Sequence, residues 1–169
     1  MRSAARGIGG WTLALVTVAA LTACANASSG SRAELYETID ELAADSSVIV
    51  GGTVTGQFRD GSTTVSTVEV AHAPANPQLG ANVDGDHAAV EVGDVVEVRE
   101  DAAPLLAQGD EYLLFLTPTM LPDEAASQFF VTGAVAGIYR RDGDEFRRVA
   151  LDSGDTLPET ITVAGSGDG

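Results

Sequence analysis

Lysine is absent from this chain, and cysteine and aromatic residues are scarce. All nine basic residues are arginines, against 25 acidic residues, so the formal net charge is −16 at pH 7. Aromatic residues make up 5% of the 169 residues, and Cys24 is the only cysteine. A body this acidic repels phosphate backbones, which excludes nucleic acids as expected partners. A single cysteine excludes an internal disulfide, and the few aromatics predict an aliphatic core.

The remaining composition is that of one globular domain. Hydrophobic residues make up 44% of the chain and charged residues 20%, which excludes wholesale disorder. Residues 1–23 have the organisation of a signal peptide: Arg2 and Arg6 precede an almost wholly apolar run from Ile8 to Leu21. This run is shorter than the roughly 20 residues that a transmembrane helix needs. We therefore predict that the segment directs export.

The apolar run ends in Leu21-Thr22-Ala23-Cys24, which resembles the lipobox of bacterial lipoproteins. The resemblance implies cleavage between Ala23 and Cys24 and transfer of a diacylglycerol to the Cys24 thiol. The expected location is then the extracytoplasmic face of the cell membrane, where two acyl chains hold a domain stably. The lysine-free composition, rich in Ala, Val, Gly and Asp, resembles that of actinobacterial proteins. The alternative is a secreted protein that is cleaved nearby and keeps Cys24 as a spare thiol.

After the lipobox we expect a tether and one amphipathic helix. Residues 24–31 are small and polar apart from Cys24, as in a flexible linker. The sequence Ser31-Arg32-Ala33-Glu34 fits a capping box, and apolar residues follow at helical spacing from Leu35 to Leu42. These features predict a helix at about residues 32–44.

From residue 47 the hydrophobic period becomes that of strands. The glycine-containing stretch 48–58 predicts a bulged strand, and residues 112–116, apolar on both faces, predict a central strand. Other strands are expected in 63–72, 89–100, 129–132, 137–141 and 145–151. Residues 152–169 hold one short apolar segment and are expected to form a largely disordered tail.

Asp142-Gly143 is a two-residue turn signal between the last two of these strands. A hairpin with this turn has two opposite-charge pairs and one aromatic pair across its strands, which favours the register. The predicted pairs are Arg141 with Asp144, Arg140 with Glu145, and Tyr139 with Phe146.

Six or so short strands, glycine-marked bends and a flanking helix predict a mainly β domain over residues 32–151. The expected fold is a small OB-like antiparallel barrel, or a strongly bent sheet, with one N-terminal amphipathic helix. The strand spacing and the segment Gly109-Asp-Glu-Tyr-Leu-Leu-Phe-Leu116 are similar to those of bacterial exported domains with OB-like barrels. They are also broadly similar to netrin-like and metalloproteinase-inhibitor barrels. The resemblance covers about residues 45–150 and includes no catalytic residue.

Candidates for catalysis or metal binding are few. His72 and His87 lie in no recognisable nucleophile or zinc motif, so we expect them to be surface residues. Asn82, Asp84 and Asp86 alternate as the first ligands of a calcium loop do, but His87 and Gly93 stand where such a loop has its glycine and its glutamate. We expect no cofactor, and these three residues are the metal candidates that the sequence offers.

Four arginines fall within nine residues on the two arms of the expected hairpin: Arg140, Arg141, Arg147 and Arg148. Such a cluster would form a basic patch that docks an acidic partner or anionic lipid headgroups. The alternative is that Arg140 and Arg141 are neutralised across the strands by Glu145 and Asp144.

These features predict a lipid-anchored extracytoplasmic barrel that binds a ligand or an envelope protein, or assists envelope assembly, without catalysis. By analogy of fold, its ligand site is expected at a barrel mouth ringed by loops 73–87 and 118–128. The alternative is a carboxylate-dependent envelope hydrolase or a metal-binding module. A hydrolase would need two close carboxylates with different environments in a concave site.

Overall fold

The structure is a computed structural model, and it describes residues 35–73, 90–101 and 105–163. These residues form one α-helix, one 3₁₀ helix (Asp123–Ser127) and eight strands. The elements are α1 (Ile39–Ala44), β1 (Val48–Asp60), β2 (Thr63–His72), β3 (Val95–Glu100), β4 (Glu111–Pro118), β5 (Phe129–Val131), β6 (Ile138–Asp142), β7 (Glu145–Arg148) and β8 (Thr160–Ile161). The predicted mainly β class is confirmed.

Five of the strands close into a small OB-like barrel. Neighbouring strands follow the order β1-β2-β3-β5-β4, and β4 pairs back with β1. The β3–β5 pair is parallel and the other four pairs are antiparallel. Strand β1 closes the ring because residues 48–53 pair with β4, while Gly51 to Asp60 pair with β2. The predicted barrel is therefore confirmed.

Strand β1 bends where it changes partners. Its register with β2 shifts between Gly51 and Gly52 and again between Val54 and Gly56, which confirms the predicted bulged strand. A Cβ atom on Gly52 would lie 2.4 Å from the carbonyl oxygen of Glu69. Only glycine allows the two backbones to approach so closely, and this approach explains the glycine at position 52.

The remaining strands extend the sheet beyond the barrel in the order β4-β6-β7-β8. Strand β4 pairs with β1 along one edge and with β5 and β6 along the other. Residues 112–116 are all buried, with exposed fractions of 1% or less. The predicted central strand is therefore confirmed.

The buried apolar side chains form two clusters, one on each face of β4. The barrel core lies inside the barrel and consists of Val48, Val50, Val54, Val68, Val70, Val96, Val98, Leu106, Tyr112, Leu114, Leu116, Val131 and Ile138. The outer core lies on the other face and consists of Tyr36, Leu42, Ala43, Ile49, Leu113, Phe115, Ala136, Tyr139, Phe146 and Leu157.

The helix that covers the outer core is shorter than predicted. It begins at Ile39, after a capping box in which the Thr38 hydroxyl accepts from the Glu41 N–H and the Glu41 carboxylate accepts from the Thr38 N–H. Leu35, expected on the packed face, is 57% exposed, whereas Tyr36 is buried. The predicted start at residue 32 is therefore wrong for residues 35–38, because a second capping box with the same spacing begins the helix.

The segment 152–163 also covers the outer core. Leu157 and Asp155 are buried, and Thr160–Ile161 forms β8 beside β7. The Asp155 Oδ1 atom accepts the Tyr36 N–H at 2.8 Å, and the Thr156 N–H donates to the Tyr36 carbonyl at 3.1 Å. The prediction of a disordered tail is wrong over these residues, because they pack on an apolar face of the sheet that would otherwise be exposed.

Candidate functional site in the β6–β7 hairpin

The turn of the β6–β7 hairpin lies one residue further along the chain than predicted. Asp142 pairs with Glu145, so the two turn residues are Gly143 and Asp144. Gly143 has φ +63°, a left-handed conformation that glycine adopts without steric cost. The predicted turn and its three cross-strand pairs are therefore wrong, because glycine takes the first turn position instead of the second. The observed pairs are Tyr139 with Arg148, Arg140 with Arg147, Arg141 with Phe146, and Asp142 with Glu145.

This register places Arg140 directly opposite Arg147. Two like charges in such a pair destabilise a sheet. The nearest carboxylates are those of Asp110, 3.8 Å from Arg140 Nη1, and Asp142, 3.4 Å from Arg147 Nε. Both distances are longer than a usual hydrogen bond of about 2.7–3.2 Å. The expected neutralisation of Arg140 by Glu145 across the strands is therefore wrong.

The other two arginines of the hairpin lie on the outer-core face and stabilise the fold. Arg141 lies over the Phe146 ring, 5.1 Å from its centroid, and its Nε–H donates to the Gly143 carbonyl at 2.6 Å. Arg148 is buried and donates to the Asp155 carbonyl at 3.3 Å. The expected pairing of Arg141 with Asp144 is therefore wrong, and the predicted four-arginine patch divides into two pairs on opposite faces.

Arg141 also belongs to a polar row at the edge of the outer core. The Glu111 Oε1 atom lies 3.6 Å from Arg141 Nη1 and 3.7 Å from His72 Nε2, and all three side chains are partly buried. His72 packs over Gly51, whose missing side chain leaves room for the imidazole. The sequence alone does not reveal this row, because its members come from three strands distant in sequence, although the Gly51-Gly52 pair is a signal of close packing.

A partly buried carboxyl, that of Glu100, lies on barrel strand β3. Glu100 Oε1 accepts the N–H groups of Leu105 and Leu106, at 2.7 and 3.4 Å. Burial raises the pKa of Glu100 above its ordinary value, although hydrogen bonds from the Leu105 and Leu106 amides and from the Ser66 side chain oppose that rise. Thr64 lies opposite Glu100 on β2, and its Oγ1 has no hydrogen-bond partner in the described part of the chain. Glu100 therefore fixes the segment that follows β3.

The two loops expected around one barrel mouth are anchored at opposite ends of β2 and β3. Gln128, at the end of the β4–β5 loop, accepts from Arg99 Nη1 at 2.6 Å, and Arg99 Nη2 donates to Asp60 Oδ2 at 2.9 Å. This loop therefore lies at the β1–β2 turn. The other loop leaves β2 after His72, at the opposite end of that strand, and residues 74–89 lie outside the described residues. Because the two loops are anchored at opposite ends of β2, the expectation that they surround one barrel mouth is not met.

Several predicted sites also fall outside the described residues, namely Ala23, Cys24, Asn82, Asp84, Asp86 and His87. Within residues 35–73, 90–101 and 105–163, no three His, Cys, Asp or Glu side chains are placed to hold a metal ion. In the same ranges no helix has the length and apolarity to cross a membrane.

Comparison of the chain with known protein families and with curated protein sequences found no match. The lipobox and the likeness to exported OB-like domains therefore stay predictions from the sequence.

Proposed function

We propose that this chain is a lipid-anchored extracytoplasmic β-barrel lipoprotein, and that it acts as a binding or envelope-assembly module without catalysis. The anchor would be Cys24, in the sequence Leu21-Thr22-Ala23-Cys24. Leu35 follows Cys24 by eleven residues, a length that spans at most about 36–40 Å. A barrel tethered in this way works close to the membrane surface.

The filled interior of the barrel supports a role in binding at the outer surface. Val50, Val54 and Leu114 are completely buried inside it, and small barrels of this kind either hold a ligand or fill with side chains. Because the side chains of its own strands fill the described interior, a ligand or partner would bind at the outer surface or the loops.

The observation that carries the proposal is the pair of exposed arginines on the β6–β7 hairpin. Arg140 and Arg147 lie side by side in a chain whose formal net charge is −16. Two adjacent arginines with carboxylates beside them, Asp110 and Asp142, form a defined pattern of charge, and such a pattern attracts one arrangement of charged groups and repels others.

The hydrolase alternative requires two close carboxylates in different environments. Among the described residues, the carboxyl whose pKa is raised is Glu100, and its Oε1 is taken up by the amides of Leu105 and Leu106. That arrangement supports a structural role, so the binding proposal is the one that the described residues favour.

The anchor is tested by substitution of the lipobox cysteine. The unmodified chain should incorporate a fatty-acid analogue and sediment with membranes in a host that processes lipoproteins. The Cys24→Ser variant should lose the label completely and either appear in the medium or keep its leader.

The matched control for this test moves the thiol by four residues. Ser28→Cys in the Cys24→Ser background restores a cysteine outside the motif, and it should stay unlabelled. Unchanged labelling of Cys24→Ser, or an unmodified thiol at Cys24 in the mass of the native protein, would refute the lipid anchor.

A further inference from the structure

We infer that Arg140 and Arg147 form a two-arginine clamp for the phosphate monoester group of a small ligand. The inference rests on the proposed function as a binding module, and it names the ligand class for that function. Three features carry it: donors that make no hydrogen bond to the described residues, side-by-side placement, and neighbouring carboxylates that repel extended anions.

The first feature is that neither guanidinium group donates a hydrogen bond to the described residues. Of the six arginines in the described ranges, four donate side-chain hydrogen bonds, namely Arg59, Arg99, Arg141 and Arg148. Within the same ranges Arg140 and Arg147 make no such bond, and their side chains are 62% and 59% exposed. Each has an ion-pair partner, Asp110 for Arg140 at 3.8 Å and Asp142 for Arg147 at 3.4 Å, so a ligand from solvent would compete with these two carboxylates for the N–H groups.

The second feature is that the two side chains leave a rigid base side by side. Arg140 and Arg147 are direct cross-strand partners, which places their Cβ atoms about 4.5–5.5 Å apart on the same face. On the opposite face of the hairpin, Tyr139 and Phe146 are buried in the outer core. The strands that hold the two arginines are thus fixed by packing, and the guanidinium groups can meet around one anion.

Charge and donor number favour a phosphate monoester over a carboxylate. A phosphate monoester carries about −1.5 to −2 charges near pH 7 and has three acceptor oxygens. It therefore matches two guanidinium forks, whereas a carboxylate carries one charge and is satisfied by a single fork. A bound dianion would also remove the repulsion between Arg140 and Arg147.

The third feature is a row of two acids beside the two arginines. Asp142 and Glu145 are direct cross-strand partners, and they form the pair of the hairpin next to the turn. Both are exposed. They share the arginines' face and lie about 6.8 Å away along the backbone, two residues along the strand, but the Asp142 Oδ2 atom comes within 3.4 Å of Arg147 Nε. An anionic membrane or an extended polyanion would meet both of these carboxylates together with the arginines, whereas a small phosphate would have to replace only the ion-pair partners of the arginines, Asp142 at 3.4 Å from Arg147 Nε and Asp110 at 3.8 Å from Arg140 Nη1. The structure therefore favours a small ligand over lipid headgroups.

The test uses the mature protein in neutral detergent micelles with ¹⁵N label on arginine alone. Inorganic phosphate is titrated at constant ionic strength and about pH 7.5, where it is mostly the dianion, as a phosphate monoester also is, while the arginine Nε–H signals are followed. We expect saturable shifts of the Arg140 and Arg147 signals. Arg140→Gln and Arg147→Gln should each weaken binding about tenfold, equivalent to about 1.4 kcal/mol.

Arg59→Gln is the matched control, since it removes the same charge from another exposed arginine. It should leave phosphate binding within about twofold of the unmodified protein, a difference of less than 0.5 kcal/mol by the same conversion.

Absence of a saturable shift, or equal weakening by Arg59→Gln, would overturn the clamp. Arginine-dependent binding to anionic phospholipid vesicles without any phosphate shift would also overturn it, in favour of headgroup docking. Loss of the lipid anchor would not affect this titration, so the two proposals fail separately.

Discussion

The barrel core and the outer core are both fully buried, but they are built from different parts of the chain. The barrel core is mostly valine and leucine, nearly all from strands. The outer core contains four aromatic residues and draws on α1 and the segment 152–163, the two ends of the described domain. The comparison shows that the barrel strands have an apolar outer face. Residues from both ends of the domain cover that face.

The cover is attached to the sheet by specific contacts as well as by packing. The rings of Phe115 and Tyr139 lie 6.1 Å apart in a tilted arrangement, of the kind worth about 0.5–1.5 kcal/mol beyond burial. The Tyr139 hydroxyl donates to the Pro158 carbonyl at 3.2 Å. Burial, the main cause, raises the pKa of Tyr139 to about 12. The phenol therefore keeps its proton, and with it this bond to the covering segment, throughout the neutral pH range.

The largest effect is expected from Phe115, at the centre of the outer core. Its side chain is completely buried, so Phe115→Ala should lower the free energy of unfolding by about 3–5 kcal/mol. Urea unfolding followed by circular dichroism measures this loss. Phe58→Ala, at a position 46% exposed, is the control and should cost less than about 1 kcal/mol. A loss of less than about 1 kcal/mol for Phe115→Ala would contradict the assignment of Phe115 to a tightly packed outer core.

A smaller effect is expected where the two ends of the domain meet. Asp155→Ala removes the acceptor of the buried Tyr36 N–H and of the Ser153 hydroxyl. Leaving a buried donor without its partner costs about 1–3 kcal/mol, which the same unfolding measurement detects. Asp152, exposed in the same segment, is the control, and Asp152→Ala should change stability by less than about 0.5 kcal/mol. Equal effects of the two substitutions would contradict the role given to Asp155.

The smallest effect on stability is expected from a substitution of Glu100, at the end of barrel strand β3. Because burial raises the pKa of Glu100 in the folded state, the folded protein binds this proton more tightly than the unfolded chain. The stability contributed by that proton is fully present below the unfolded pKa and is lost as pH rises through the folded pKa. Glu100→Gln removes this loss while an amide oxygen still accepts from Leu105 and Leu106.

The Glu100→Gln variant should therefore be at least as stable as the unmodified protein at neutral pH. The difference should shrink as the pH falls below about 4.5, the ordinary pKa. Unfolding curves across this range test the expectation, with Glu124→Gln as an exposed control. A variant that is less stable at neutral pH, with a deficit that does not depend on pH, would show that the Glu100 carboxylate stabilises the fold.

The barrel was largely predictable because its signals are local. The apolar run 112–116 predicts a central strand, and the glycines of 48–58 predict a bulged one, since each pattern is complete within a few residues. The cover was not predictable in the same way. Leu157 and Ile161 stand apart from any periodic pattern, and only the apolar face of the sheet shows why they are buried or partly buried.

The site was predictable in composition but not in geometry. The four clustered arginines mark the hairpin, yet its register depends on which turn position Gly143 takes. Moving the turn by one residue replaces Glu145 with Arg147 as the partner of Arg140. Both registers satisfy the same alternation of faces, so the pattern of the sequence does not distinguish them.

The junction of the two domain ends has a mechanical consequence if the chain is held by its N-terminal side. Residues 36–37 run beside residues 155–156 and share three hydrogen bonds with them, from the Tyr36 N–H, the Thr156 N–H and the Thr156 hydroxyl. Tension along the tether would enter the domain at Leu35 and load these bonds first. The segment 152–163 would then detach before the barrel strands bear the force.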